Sequence, residues 1–130
     1  MPRFWESHSQ FTQKVEMKIK KVSVYQKDLP LSEPYWLSGG RLKFEVLDAT
    51  FVKIETDSGH IGWGESTPWG HTYVPAHGLG IRAGIETIAS VLIGMDSRQN
   101  ERIEYVMDKE LPGHAYVKSS IDMEIGRAHV

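Results

Sequence analysis

The sequence predicts an α+β domain, with a three-stranded antiparallel meander followed by a three-helix bundle. In the first half, two segments rich in β-branched and aromatic residues flank a turn signal at Asp57-Ser58-Gly59, which is typical of a hairpin. In the second half, apolar residues recur at helical spacing. Gly94 and Pro112-Gly113 divide that half into three helical runs. Strands and helices therefore occupy separate parts of the chain, as in α+β folds.

The first predicted strand lies within Met17–Asp28, where apolar residues alternate with lysines apart from one lapse near Lys20-Lys21. Pro30 is expected to end this strand, because proline supplies no N–H to a strand ladder. Residues 31–43 contain Pro34 and Gly39-Gly40 and are predicted to form a loop, which we call loop one.

The second and third strands are predicted at Ala49–Glu55 and Ile61–Glu65, on either side of the turn signal. They are followed by residues 66–78, a second predicted loop that is rich in aromatic residues and histidine and that we call loop two. The meander is thus expected to carry one long loop near its beginning and another at its end.

Three helices are predicted after loop two. The first has one apolar face, formed by Ile81, Ile85, Ile88, Ala89 and Leu92, and Gly94 is expected to end it in a left-handed conformation. Asp96 and Gln99 have the spacing of a capping pair for the second helix. Pro112-Gly113 should end the second helix, and the third is expected to begin near His114.

The two ends of the chain differ from the middle. Residues 1–16 show neither helical nor strand periodicity and are expected to be a disordered leader, with Met17 as a candidate start. Residues 124–130 can be encoded by GAG ATC GGA AGA GCA CAC GTC, which matches a common sequencing adapter. We expect residues 124–130 to be an artefact and residues 17–123 to be the domain.

Composition excludes several classes of function. The 130 residues carry a formal net charge of -2, so no basic surplus indicates nucleic-acid binding. Cysteine is absent, which rules out disulfides, thiolate metal sites and thiol nucleophiles. No stretch reaches the roughly 20 apolar residues that a membrane span needs. A cytoplasmic protein is therefore the expectation.

Two motifs carry little functional information. His71 and His77 lie six residues apart in loop two, with Glu65 upstream, and this spacing matches no zinc pattern. Loop histidines that form local hydrogen bonds are the simpler interpretation. The glycines at 59, 62 and 64 follow a hairpin rather than join a strand to a helix, so they do not form a dinucleotide-binding fingerprint. We therefore predict no metal ligand and no catalytic residue in this chain.

The two loops are the better candidates for a site. They offer aromatic rings and one arginine: Tyr35, Trp36 and Arg41 in loop one, and Trp69, His71 and Tyr73 in loop two. Arginine can bind a carboxylate with two parallel hydrogen bonds, and aromatic faces can contact a cation or an aliphatic ring. The residue types equally suit loops that pack onto their own domain, and composition alone leaves the two interpretations open.

The order of these features resembles a known domain. The meander, the aromatic loop, the Gly-Trp-Gly-Glu turn at 62–65 and the helical string Ala-Tyr-Val-Lys-Ser-Ser-Ile-Asp-Met at 115–123 resemble the N-terminal capping domain of the enolase superfamily, in its mandelate racemase and muconate lactonizing enzyme branch. The strings at 34–43, 67–78 and 111–119 are similar to those of cis-3-hydroxy-L-proline dehydratases and proline betaine racemases. The resemblance covers about residues 17–123.

The resemblance implies a two-domain enzyme. A barrel domain would supply carboxylate ligands for Mg²⁺ and lysine acid–base residues, and catalysis would begin with removal of the proton α to a carboxylate. The capping domain would close the barrel mouth and help to select a proline derivative. By this analogy Tyr35, Trp36, Trp69 and Tyr73 line the substrate cavity. No nucleic-acid or membrane partner is expected, and the parent enzyme is expected to be a homo-oligomer.

Three interpretations remain open at this point. This chain contains no barrel strand, so by itself it is expected to be catalytically inactive. The resemblance of both loop strings favours the lid of a cis-3-hydroxy-L-proline dehydratase, and the lid of a proline betaine racemase or other epimerase is the alternative. A free-standing domain could instead bind a small zwitterion between its two loops. A dimerisation domain could use an exposed helix face as its interface, because a large apolar patch is unusual on a monomer.

Overall fold

The structure, a computed structural model, describes residues 3–6, 17–70 and 76–128, with side chains described up to Asp122. Its strands and helices, in chain order, are β1 (Arg3–Glu6), β2 (Ile19–Leu37), β3 (Leu42–Thr56), β4 (Ile61–Ser66), α1 (Gly78–Leu92), α2 (Asn100–Glu110) and α3 (Ala115–Ala128). The four strands form one antiparallel sheet in the order β1-β2-β3-β4. The predicted α+β class and three helices are confirmed.

The number of strands corrects the prediction of three. The additional strand, β1, lies inside the segment that we expected to be a disordered leader, and for these four residues that expectation is wrong. Arg3 donates to both carboxylate oxygens of Glu86 on α1 at 2.6 Å, and Trp5 packs against the core. A four-residue strand is too short to show a strand period in the sequence, so long-range contacts determine where it forms.

The prediction of loop one is also corrected. Residues 31–43 extend β2 and β3 into a hairpin arm, with cross-strand pairs that include Tyr35 with Phe44 and Leu37 with Leu42 across a tight turn at Ser38–Gly40. The register shifts between Pro30 and Tyr35, where β2 has three more residues than β3. A bulge can accommodate proline. In addition, β1 pairs with β2 only up to Val24, so β1 requires no N–H from position 30. Pro30 therefore lies in the strand without ending it.

One face of the sheet forms the core together with the helices. The buried strand residues Val22, Val24, Val52 and Ile54 pack against the apolar face predicted for α1, and α2 and α3 add Ile103, Met107, Val117 and Ile121. The predicted turn after β3 is confirmed, with Gly59 at φ 86°. None of the helices described in residues 76–128 has the length and apolar character needed to cross a membrane.

The connections between helices confirm one capping prediction and correct another. Gly94 follows α1 with φ 87°, the left-handed conformation expected of it, and its N–H donates to the Ile19 carbonyl at 2.8 Å. Asp96 and Gln99 do not form a capping pair. The Asp96 carboxylate instead accepts from the backbone N–H of Arg98 at 3.0 Å, because a short side chain reaches the backbone two residues on. Helix α2 then begins at Asn100.

Acidic side chains gather where α2 faces α3. Lys118, almost buried on α3, donates to the Asp108 carboxylate at 2.6 Å. Burial raises the pKa of the Asp122 carboxyl above its ordinary value, and the charges of Glu104 and Asp108 raise it further, while Lys118 lowers it. A carboxyl with a raised pKa in the folded state lowers stability when it ionises, and this penalty disappears as the pH falls.

We therefore expect Asp122→Asn to raise the free energy of unfolding at pH 7. The gain should be only a few tenths of a kcal/mol, since Asp122 is only partly withdrawn from water and solvent screens its charge. Urea titrations should show the gain vanish once the pH falls below the ordinary carboxyl pKa of 3.8. Glu101→Gln is the control, because it removes the same charge from the first turn of α2, where the helix dipole favours it. A lower stability for Asp122→Asn at pH 7 would contradict the prediction.

Candidate functional site

An aromatic cluster joins the hairpin arm to loop two. Tyr35 and Phe44 are cross-strand partners on the arm, and Trp69 of loop two packs against both. Its ring centroid lies 5.0 Å from that of Tyr35 with the planes tilted by 37°, and 5.5 Å from that of Phe44 in an edge-to-face arrangement. Aromatic pairs favour these geometries. The cluster unites two predicted site residues, Tyr35 and Trp69, that are far apart in sequence.

The backbone of loop two fixes Trp69 in a tight turn. The Gly70 N–H donates to the Pro68 carbonyl at 3.0 Å, and Gly70 has φ 66°. A Cβ at Gly70 would lie 2.8 Å from Cε1 of Phe44, closer than side chains tolerate. Glycine therefore serves two purposes here, since it adopts the left-handed conformation and leaves room for the Phe44 ring.

Trp36 lies on the other face of the arm. Successive residues of a strand point to opposite faces, so Trp36 and its partner Lys43 face away from Tyr35 and Phe44. The Lys43 ammonium lies 5.2 Å from the Trp36 ring centroid, and Trp36 remains 57% exposed. Arg41 is exposed just after the turn of the arm. Tyr73 and His71 lie outside the described residues.

The base of the arm is tied to α1 by an ion pair. Arg82 donates to the two carboxylate oxygens of Asp48 at 2.7 and 3.0 Å, and to the Thr50 hydroxyl at 3.1 Å. Gln26 of β2 adds a third hydrogen bond to Asp48, at 3.0 Å. The hydrogen bonds from Arg82 hold the pKa of Asp48 below its ordinary value, although burial opposes them, and Gln26 lowers it further. The Asp48 carboxylate therefore has a structural role, in which it joins β3 to α1 and β2.

Loop two returns to the domain beside this ion pair. A Cβ at Gly78, the first residue of α1, would overlap Oδ2 of Asp48. The preceding His77 caps α1, because its Nδ1 accepts from the Gly80 N–H at 3.2 Å. This local hydrogen bond agrees with our interpretation of the loop histidines. The end of loop two is thus fixed to β3 and α1 at the same place.

Between the arm and the start of α1 lies an open cleft of about 550 Å³. Val46 and Asp48 line it from β3, Pro68 and Gly70 from loop two, and His77 and Leu79 from the start of α1. Among the residues that the structure describes, no three His, Asp or Glu side chains converge as metal ligands would. Apolar side chains beside one carboxylate that is already paired with Arg82 give this cleft a surface on which a small molecule can bind.

Sequence reasoning missed Phe44 and the ion pair between Asp48 and Arg82. Phe44 could have been found by pairing residues across Gly39-Gly40, which places it opposite Tyr35. Asp48 and Arg82 are 34 residues apart, and no local pattern links them.

Fold and site together define an α+β domain that presents an aromatic arm and loop on one side. The domain matches a known family, described as the mandelate racemase / muconate lactonizing enzyme N-terminal domain, over residues 19–125. The chain belongs to this family, and the resemblance found in the sequence is confirmed.

Curated relatives include enzymes of two reaction types. The chain is 45% identical over 108 residues to the cis-3-hydroxy-L-proline dehydratase of Roseibium aggregatum. This alignment covers 82% of this chain and 29% of that enzyme. It is 31% identical over 107 residues to the N-succinyl-L-Arg/Lys racemase of Bacillus cereus, covering 82% of this chain and 28% of the racemase. This chain therefore spans less than a third of the length of these relatives.

Solved structures agree with this family. A member of the enolase superfamily from Roseovarius nubinhibens, crystallised in complex with magnesium, superposes with a TM-score of 0.74 and 53% sequence identity. The match covers 85% of this chain and 29% of that protein.

Proposed function

We propose that this chain is the capping domain of an enzyme that dehydrates cis-3-hydroxy-L-proline. In this proposal the hairpin arm and loop two form a lid that covers the substrate on a separate barrel domain. The observation that carries it is the contact of Trp69 with Tyr35, which merges the arm and the loop into one aromatic surface. The 45% identity to the Roseibium aggregatum dehydratase supports the choice of substrate.

The chemistry of the lid suits a cyclic amino acid. Aromatic faces can contact both the aliphatic ring and the positively charged nitrogen of a proline derivative. The dehydration removes the α-proton and the 3-hydroxyl group of the substrate, which leave together as water. This chain's part is to bind the substrate ring and to exclude bulk water while that happens.

Magnesium does not fit the described residues of this chain, because their carboxylates and histidines do not converge on a common point. We propose that the metal-binding and proton-transferring groups belong to the barrel domain of the full-length protein. The Roseovarius nubinhibens relative was crystallised in complex with magnesium, which supports a metal in the full-length protein.

Exchanging domains with two relatives tests the proposal. In one chimera, residues 17–123 replace the matching segment of the Roseibium aggregatum dehydratase, and in the other they replace that of the Bacillus cereus racemase. We expect the first chimera to eliminate water from cis-3-hydroxy-L-proline and the second to lose racemisation of N-succinyl-arginine, because a lid must match the substrate beneath it. Activity of the second chimera alone would instead favour a racemase or epimerase lid.

Single substitutions in the active chimera test which face of the arm meets the substrate. Trp69→Ala should lower kcat/KM by about ten- to a hundredfold, the effect of losing one buried aromatic contact. Trp36→Ala is the matched control on the opposite face and should change kcat/KM by less than about threefold. The reverse ranking would place the substrate on the Trp36 face.

Calorimetry on the 130-residue chain distinguishes the remaining alternatives. Heat released with millimolar cis-3-hydroxy-L-proline would favour a free-standing binding module. A single species with the molar mass of a dimer in light scattering, together with no ligand binding, would favour a dimerisation domain.

A further inference from the structure

The pair formed by Tyr35 and Trp69 is supported by one further ring, Phe44, and by the backbone of Gly70. Phe44 meets Trp69 edge to face, whereas Tyr35 offers Trp69 a tilted, partly stacked face. Tyr35 is 50% exposed, while Phe44 and Trp69 are half-buried. Phe44 is therefore less exposed than Tyr35, and it is in contact with both the Trp69 ring and the Gly70 backbone.

We propose that Phe44 and Gly70 are positioning residues that hold Trp69 against Tyr35, so that these two rings meet the substrate as one preformed aromatic wall. The inference rests on the proposed function for its substrate, but the positions of the rings do not depend on it. Phe44 and Gly70 are not catalytic residues, since they act through Trp69.

Two constraints act on Trp69 at once. The Gly70 N–H, bonded to the Pro68 carbonyl, closes a three-residue turn around Trp69 and sets the direction of its side chain. The edge of Phe44 lies against Gly70, where a Cβ would be only 2.8 Å away, so the loop backbone rests directly on the ring. Movement of Trp69 away from Tyr35 would have to break the turn or open the contact with Phe44.

Preorganisation gives this arrangement a functional consequence. A side chain that is already held in its binding position loses less conformational entropy when the ligand arrives. Loss of Phe44 should therefore weaken substrate binding, although Phe44 is not one of the two rings that form the wall. The expected signature is a raised KM with a smaller change in kcat. A wall that binds the substrate and the transition state equally well lowers KM without changing kcat, so its loss raises KM.

The first experiment follows the Trp69 ring without any substrate. In the 130-residue chain labelled with 5-fluorotryptophan, Trp69→Phe identifies the Trp69 resonance in the ¹⁹F spectrum. Phe44→Ala and Gly70→Ala should each shift or broaden that resonance, and Phe44→Tyr, which keeps the ring edge, should leave it close to the parent position. Lys43→Ala is the matched control on the opposite face, and it should move the Trp36 resonance instead.

The second experiment measures turnover in the chimera with the Roseibium aggregatum barrel. Phe44→Ala should raise KM for cis-3-hydroxy-L-proline by about three- to tenfold, the range expected for one aromatic pair, with kcat changed less. Phe44→Tyr, which retains the ring, should keep the KM of the parent chimera.

The outcomes separate the two claims. An unchanged Trp69 resonance in Phe44→Ala would overturn the positioning role, whether or not the chimera is active. A displaced Trp69 with an unchanged KM would overturn the claim that the preformed wall meets the substrate. An inactive parent chimera would contradict the proposed function, and the fluorine spectra would still decide whether Phe44 and Gly70 hold Trp69.

Discussion

Replacing Gly78 with alanine should lower the free energy of unfolding by about 2 kcal/mol. The new Cβ would occupy the position of Oδ2 of Asp48, so the carboxylate would have to leave its two hydrogen bonds with Arg82. Hydrogen bonds that involve a charged group each contribute roughly 1.5–3 kcal/mol, and Arg82 would be left only 21% exposed without its partner. The higher helix propensity of alanine, at most about 1 kcal/mol, offsets part of this loss.

Urea denaturation measures the effect, and a neighbouring glycine provides the control. Gly80→Ala also lies in the first turn of α1, but its Cβ would meet only the exposed ring of His77, at 3.1 Å. If that ring moves aside, the higher helix propensity of alanine offsets the loss of its capping hydrogen bond. We expect Gly80→Ala to change the free energy of unfolding by less than about 0.5 kcal/mol. In an Asp48→Ala background, Gly78→Ala should cost almost nothing, since the obstructing carboxylate is gone. Equal costs in both backgrounds would show that the ion pair is not the cause.

The same ion pair should be visible in the acid limb of the stability curve. The pKa of Asp48 lies below its ordinary value of 3.8 in the folded protein, mainly because Arg82 donates hydrogen bonds to the carboxylate. Its contribution is therefore present above that value and is lost as the pH falls through the lower folded pKa. The stability difference between the parent chain and Asp48→Ala should accordingly shrink below pH 3.8. A difference that stays constant in acid would contradict this assignment.

Gly84→Ala should be the second substitution with a large effect. Gly84 is buried on α1, and a Cβ there would lie 2.5 Å from Cγ2 and 3.0 Å from Cγ1 of Val117 on α3. Val117 is β-branched and buried, so it has few rotamers with which to avoid the contact. Overpacking of this kind costs about 1–3 kcal/mol, and we expect a net loss of stability although alanine is the better helix former.

The sign of the effect should reverse when Val117 is shortened. In a Val117→Ala background the extra methyl group fills space, and Gly84→Ala should then stabilise the chain by about 0.5–1 kcal/mol. Ala83→Gly, at the adjacent exposed position, calibrates the helix-propensity contribution alone. If Gly84→Ala stabilised the chain in both backgrounds, the close packing of α1 on α3 would be disproved.

Local sequence was sufficient for much of the fold. The turn at Asp57-Ser58-Gly59, the apolar face of α1 and the left-handed Gly94 each depend on neighbours a few residues away, and all three agree with the structure. The lapse in alternation near Lys20-Lys21 likewise corresponds to a register shift between Ile19 and Lys21. Periodicity and turn chemistry report such short-range preferences directly.

The candidate site depended on contacts that local patterns do not record. Pro34 and Gly39-Gly40 indicated a loop, but pairing of Tyr35 with Phe44 across the turn made that segment a hairpin arm. Aromatic composition could propose Tyr35, Trp36 and Trp69 together, yet only strand alternation in the folded arm separates Trp36 from the other two rings.

The α+β class, the three helices, most of the core and the family resemblance could all be predicted from the sequence, because each depends on periodicity or on contiguous strings of residues. Three features could be found only in the folded domain: the pairing of Arg3–Glu6 with the sheet, the paired arm formed by loop one, and the ion pair of Asp48 with Arg82. Those features depend on free energy gained between residues that are distant in the chain, and such pairings exist only once the whole domain has folded.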